Sequence, residues 1–298
     1  MAKLLIIGAS GYVGRHLFAA LGPERALATW YSHPLPGGVR FDPETMRLED
    51  LSIRPGRFSH AFLLHGMTRI TPCAMDPVAS DRVNVAQLES LLQQCAGLGI
   101  KPIFTSSDAV FDGSRGNHSE TDLPNPLLRY ARQKCLIERY LADSGMDHGV
   151  IRLPKVYSAA DDGISLLSVW WRGIRRNETI RCAVDRIFSP IAVEDVVRGL
   201  IATVEKDLSG LFHLCGPEAL SMMALFELFA QRLPPCAIDL APCRINDLGF
   251  PETWPRNISM NPARFIQATG LAPQAPATVV ERFVRGLGLP LPMGEKKG

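Results

Sequence analysis

The sequence predicts an α/β fold, a doubly wound parallel sheet followed by a smaller C-terminal α/β lobe. Three observations predict it. Apolar runs of strand length alternate with helical patterns through the first half of the chain. The runs are apolar throughout rather than at every second residue, as in strands covered on both faces. A glycine-rich turn joins the first run to the first helix, as a doubly wound sheet requires.

Taken in order, the strand runs are "KLLIIG" 3–8, "ALATWY" 26–31, "HAFLLHG" 60–66, "KPIFTSS" 101–107 and "HGVIRL" 148–153, with helical patterns at 12–21, 80–98 and 127–145 between them. Beyond residue 155 the pattern loosens into helical stretches at 163–176, 193–206, 220–232 and 276–287. A short strand, "LFHLCG" 211–216, and Pro-rich connections over 234–262 lie among them. The expected division is residues 1–155 as a dinucleotide-binding half and 156–298 as mainly a substrate lobe, which returns strands and a helix to the first sheet. Such a lobe would lie over the carboxyl ends of the strands, where open α/β sheets bind ligands.

Composition narrows the partners. Of 298 residues 46% are hydrophobic and 21% charged, and 32 Lys+Arg stand against 30 Asp+Glu. No basic cluster is dense enough for a nucleic-acid track or an anionic membrane surface, so a small molecule is the expected partner. The seven cysteines are scattered and never spaced C-x-x-C, which suits reduced thiols better than a disulfide frame or a zinc site. No metal-ligand cluster is evident. There is no run of about 18 apolar residues and no signal-peptide pattern, so a cytoplasmic protein is expected.

In "LLIIGASGYVGRHL" the glycines Gly8, Gly11 and Gly14 follow the first strand and open a helix. The first allows a tight turn, the second lets backbone approach a pyrophosphate, and the third lets helix pack on strand. Free N–H groups and the positive end of the helix then face the phosphates. Ser10, Tyr12 and Val13, within the same turn, count with the glycines as cofactor neighbours. A strand-end carboxylate would hold the ribose 2′-hydroxyl of NAD, but "ALATWYSHP" ends in Tyr31, Ser32 and His33. NADPH is therefore the expected cofactor, with NADH as second choice, and Ser32 and His33 are expected beside it.

"LLRYARQKCLIE" sets Tyr130 four residues before Lys134, on one helix face. A free phenol has a pKa of about 10, so a nearby ammonium would help it exchange protons at neutral pH. Alone, such a pair reads as an ordinary solvated helix face.

Three motifs in this order, the GxxGxxG turn, "SSDAVFDG" at 106–113 and the Tyr130/Lys134 pair, resemble the extended short-chain dehydrogenase/reductase family. Within it they resemble the sugar-nucleotide reductases around dTDP-4-dehydrorhamnose reductase. "VDRIFSPIAVEDVV" 184–197 and "RNISMNPARF" 256–265 extend the likeness over nearly the whole chain. The resemblance implies a Rossmann half, with Tyr130 as proton donor, Lys134 as its electrostatic partner and Ser107 as the hydroxyl that holds the substrate carbonyl. It further implies His65, Gly66 and Thr68 of "FLLHGMT" as cofactor neighbours, Phe41 and Asp42 near adenine, and Asp108, Ala109, Lys155 and Arg186 near the substrate. Asn84 is expected to pack or cap locally.

Two departures fall on the expected sugar pocket: Ala109 where the family shows Tyr, and Lys155 where the rhamnose-pathway members commonly show Trp. The catalytic machinery is kept while the pocket differs, so another nucleotide-linked keto sugar is the expected substrate. Two readings stand beside reduction. One is a sugar-nucleotide epimerase holding NAD, against which the missing acid after the second strand counts. The other is a non-catalytic NADP-binding regulator, as in the β-subunit of methionine adenosyltransferase. A homodimer is the expected assembly. In "SVWWRGIRRNE" 168–178 a partner surface with Trp170 and Trp171 exposed competes with core packing of at least one of them, and packing is favoured.

Overall fold

The computed structural model describes residues 3–289. Its main sheet has seven strands, all parallel: β1 Lys3–Ile7, β2 Ala26–Trp30, β3 Val39–Arg40, β4 Phe58–Leu63, β5 Lys101–Ser107, β6 Gly149–Leu153 and β7 Gly210–His213. The order across the sheet is β7-β6-β5-β4-β1-β2-β3. The chain runs outward from β1 in one direction and from β4 in the other, so the topological switch lies between them. The turn after β1 opens at this switch.

The strands are apolar throughout because alternate residues meet different layers. Leu4 and Ile6 point with Phe62, Ile103 and Ile151 toward helices α1 (Tyr12–Arg25) and, later in the chain, Val193–Glu205. Leu5 and Ile7 point with Leu63, Phe104 and Val150 toward α2 (Gln87–Leu98) and α3 (Arg129–Asp143).

The helix expected over 80–98 is three pieces: Pro77–Asp81, a π-helical turn Arg82–Ala86, and α2. The turn widens at Asn84, whose buried amide reaches out of the helix. Its Oδ1 accepts from Met67 N at 2.7 Å, and its Nδ2 donates to Met67 O at 2.9 Å and to Gln133 Oε1 at 2.8 Å. Asn84 therefore packs locally, tying the loop after β4 to α3.

After β6, residues Val156–Tyr157 pair with Ile191–Ala192. Helix α4 (Leu166–Arg175) and helix α6 (Met222–Ala230) pack in a separate apolar cluster, and α5 (Val193–Glu205) covers the main sheet. The strand pattern at 211–216 forms β7, which joins the edge of that sheet beside β6. The stretch 234–262 holds more order than its prolines suggest, since Leu240–Cys243 pairs with Ile180–Ala183. Trp170 is buried edge-on against Phe226, with centroids 5.1 Å apart, so the reading of "SVWWRGIRRNE" as a surface with both tryptophans exposed does not hold. The two rings belong to the lobe's own core. No helix of the described residues is long and apolar enough to cross a membrane.

Candidate active site

A cavity of about 510 Å³ opens at the carboxyl ends of the strands. The turn after β1 forms one wall. Gly8 has φ +85°, and a Cβ there would stand 2.7 Å from His65 N, so the loop after β4 closes directly on the turn. At Gly14 a Cβ would meet Ala9 Cα and Gly8 O, each at 2.7 Å, because helix start and turn are in contact. The first turn of α1 has neither a side-chain cap nor an acidic residue. Its N–H groups thus remain available to an anion, and the cradle fits a dinucleotide pyrophosphate.

Opposite lies the polar end. Ser107 closes β5; its Oγ donates to Asp108 Oδ1 at 3.1 Å and accepts from Ala109 N at 3.2 Å. Tyr130 and Lys134 project from the first turns of α3, and both line the cavity with Ser107. Lys134 Nζ donates to Thr105 O at 2.8 Å and lies 5.6 Å from the Tyr130 ring centroid. Burial lowers the Lys134 pKa to about 8, against a smaller raising effect of Glu138. Tyr130 behaves differently from the expectation that Lys134 draws its pKa down. Burial, with the Asp108 charge behind it, pushes the phenol up, and Ser107 is the neighbour that lowers it. The phenol is thereby held protonated, the state a proton donor needs.

The orientation of α3 is fixed from several sides. Arg152 of β6 grips Glu138 through two hydrogen bonds, at 3.0 and 2.6 Å. Gln133 donates to Ser80 Oγ and Asp81 Oδ1 at 2.9 and 2.7 Å. Glu252 Oε1 accepts from Arg129 N at 2.8 Å, so a residue of the C-terminal lobe caps the helix that carries Tyr130.

The lining brings together Gly8, Gly11, Tyr12, Val13, Gly14, Gly66, Thr68, Ser107, Asp108, Ala109, Tyr130, Lys134, Lys155 and Arg186. Ser10, Ser32, His33, Asp42 and His65 are not in it. Ser32 and His33 are exposed beyond β2, with Ser32 Oγ 2.9 Å from His33 Nδ1. Asp42 accepts from Glu44 N in a surface turn. His65 lies 2.8 Å from Gln87 Oε1 through Nε2, and burial holds its pKa low. Phe41 is a core side chain, 2% exposed, so the expectation that it contacts adenine is withdrawn.

Asp108 is buried, which raises its pKa to about 6 although Arg186 and Ser107 act to lower it. Arg186 donates to Pro255 O and lies 5.4 Å from the Trp254 ring centroid. The far wall, Ile245, Leu248, Phe250 and Trp254, comes from the Pro-rich stretch and was not anticipated. It carries no motif; only its aromatic residues in a polar, Pro-rich setting could have drawn notice. Tyr12, which lines the cavity beside the phosphate turn, donates through its hydroxyl to Asp162 Oδ2 at 2.7 Å and so ties the start of α1 to the segment before α4. Burial alone would raise the Asp162 carboxyl, but hydrogen bonds from Ser165, Ile164 and Tyr12 outweigh it and hold the pKa at about 2.

Comparisons with known proteins agree with this architecture. The chain is 26% identical to dTDP-4-dehydrorhamnose reductase of Sinorhizobium fredii over 222 residues, covering 72% of each chain. It is 26% identical over 170 residues to methionine adenosyltransferase 2 subunit beta of Rattus norvegicus, covering 53% of this chain and 48% of that protein. The solved structure of dTDP-4-dehydrorhamnose reductase from Bacillus anthracis in complex with NADP shares the fold, with a TM-score of 0.79 at 20% identity over 95% of this chain and 99% of that one. The RmlD substrate binding domain model matches residues 2–287, and the chain belongs to that family of extended short-chain dehydrogenase/reductase oxidoreductases.

Proposed function

We propose that this protein reduces a keto group on a nucleotide-activated deoxysugar, with NADPH as cofactor, and that it works in the cytoplasm. The observation that carries the reading is the meeting of Ser107, Tyr130 and Lys134 with the glycine turn around one cavity. NADPH, when bound, supplies the hydride. The chain's own residues do the rest. Ser107 holds the carbonyl oxygen by a hydrogen bond, and Tyr130 gives that oxygen its proton as negative charge develops there. Lys134 stabilises the phenolate left behind. All seven cysteines are free thiols, which suits a reducing compartment.

Preference for NADPH rests on the edge beyond β2. Ser32 and His33 stand there without a carboxylate, and Arg40 pairs with Trp30 one strand over, so the end of β2 itself offers no acid to repel a 2′-phosphate. Titration should show tighter binding of NADPH than of NADH; the reverse order would refute this choice. For the chemistry, Tyr130→Phe should lower turnover by a factor of about 100 or more while NADPH affinity stays within about twofold. An active Tyr130→Phe enzyme would end the assignment.

Similarity to a methionine adenosyltransferase subunit favours one second reading, a regulator that binds NADPH without turning it over. It differs in outcome: NADPH binds, and no keto-sugar nucleotide in a panel consumes it.

A further inference from the structure

We infer that the sugar carries a carboxylate beside the carbon that reacts, and that Lys155, backed by Arg186, is the residue that recognises it. The inference rests on the keto-sugar reading and changes only the substituent, from the methyl of a neutral deoxyhexose to an acid.

The position of Lys155 carries the argument. Leu153 pairs with Ser107 across β5 and β6, and Lys155 follows Leu153 by two residues at the carboxyl rim of β6. Its side chain lines the same cavity as Ser107 and Tyr130. The phosphate turn follows β1, which is separated from β6 by β5 and β4. Lys155 therefore stands on the Ser107 side of the cavity, within range of the Asp108 charge, and its strand is two removed from the one that leads into the cradle for the cofactor's pyrophosphate.

Among the described residues the Asp108 charge offsets the Lys155 ammonium, without a direct contact. Lys155 forms no ion pair; the acid it feels, Asp108, accepts from Ser107 instead. Arg186 adds a second positive charge to the same wall and is held in place by Pro255 O and the Trp254 ring. Ala109, in the same lining, leaves space where a larger side chain would fill it. With Lys134, three cations and one carboxylate thus line the cavity, and Lys155 and Arg186 are the two not assigned to the phenol. Desolvation and the nearby Arg186 lower the Lys155 pKa while Asp108 raises it, and the side chain keeps contact with solvent in place of a protein partner. A methyl group would leave it so, whereas a carboxylate pairs with it through a charge-assisted hydrogen bond.

Calorimetry on the NADP-loaded protein tests this with four ligands: UDP-glucuronic acid against UDP-glucose, and dTDP-glucuronic acid against dTDP-glucose. Each pair shares base, diphosphate and ring and differs only at the carboxylate. The acidic member of at least one pair should bind about ten- to a hundredfold more tightly. Lys155→Met should erase that ratio by weakening the acidic ligand alone, and Lys155→Arg should keep most of it. Equal binding within both pairs overturns the inference but leaves the sugar-nucleotide reading standing. Equal weakening of both members by Lys155→Met also overturns it and assigns Lys155 to the diphosphate. Binding of none of the four overturns the sugar-nucleotide reading itself and the inference with it. Melting temperature and NADPH affinity of each variant separate loss of recognition from loss of fold.

Discussion

At the residue scale the site is governed by two buried groups whose charges the fold disfavours. Lys134 is needed as an ammonium but has a pKa of about 8. Activity should therefore fall on the alkaline side with an apparent pKa near that value. In Lys134→Arg that limb should move up by more than about two units, since a guanidinium stays charged; a pH profile of kcat/KM reads both. Asp108 has the opposite sign problem. Its folded pKa of about 6 lies above the unfolded value near 3.8, so the buried carboxylate costs stability above pH 6 and the cost vanishes below about pH 4. Asp108→Asn should stabilise the protein by about 2–3 kcal/mol at pH 8, and thermal melts should show the gain fading by pH 4. Ser107, Tyr130 and Lys134 were legible only through the family resemblance, carried by the glycine turn, "SSDAVFDG" and the Tyr–Lys pair in that order. Glu252 and Trp254 were not, since an irregular segment brings them to α3 and Arg186 only through tertiary contacts.

At the scale of elements, what the sequence announced follows from burial on two faces. β1, β5 and β6 are long and apolar enough to be read directly, and α1 and α3 carry clear helical patterns. Pairs of two residues, such as Val39–Arg40 or Val156–Tyr157 with Ile191–Ala192, are too short to show any period. The π-helical turn at Arg82–Ala86 was equally hidden, because Asn84 makes it by bonding to residues far along the chain. The glycines offer a direct contrast between site and scaffold. Gly14→Ala drives a methyl into Ala9 and Gly8 and should abolish NADPH binding along with a loss of stability. In α2, Gly97→Ala meets nothing within 4 Å. It should be neutral or stabilising by about 0.5–1 kcal/mol, and urea titration with NADPH fluorescence separates the two.

At the scale of the molecule, no break in folding falls at residue 155. β7 and α5 come from beyond it, yet they pair with β6 and cover the main sheet. Residues 1–155 alone would leave the β6 edge open and uncover Ile103 and Ile151. We expect the full chain to unfold in one cooperative transition by calorimetry and the 1–155 fragment to show none. The Tyr12–Asp162 hydrogen bond adds a kinetic side to this union. It fastens the start of α1, at the expected pyrophosphate cradle, to the segment before α4, and we expect exchange of spent for fresh cofactor to wait for that bolt to slide. With Tyr12→Phe the bolt is gone, and stopped-flow fluorescence should find NADP+ escaping several times faster while the equilibrium fold is unchanged.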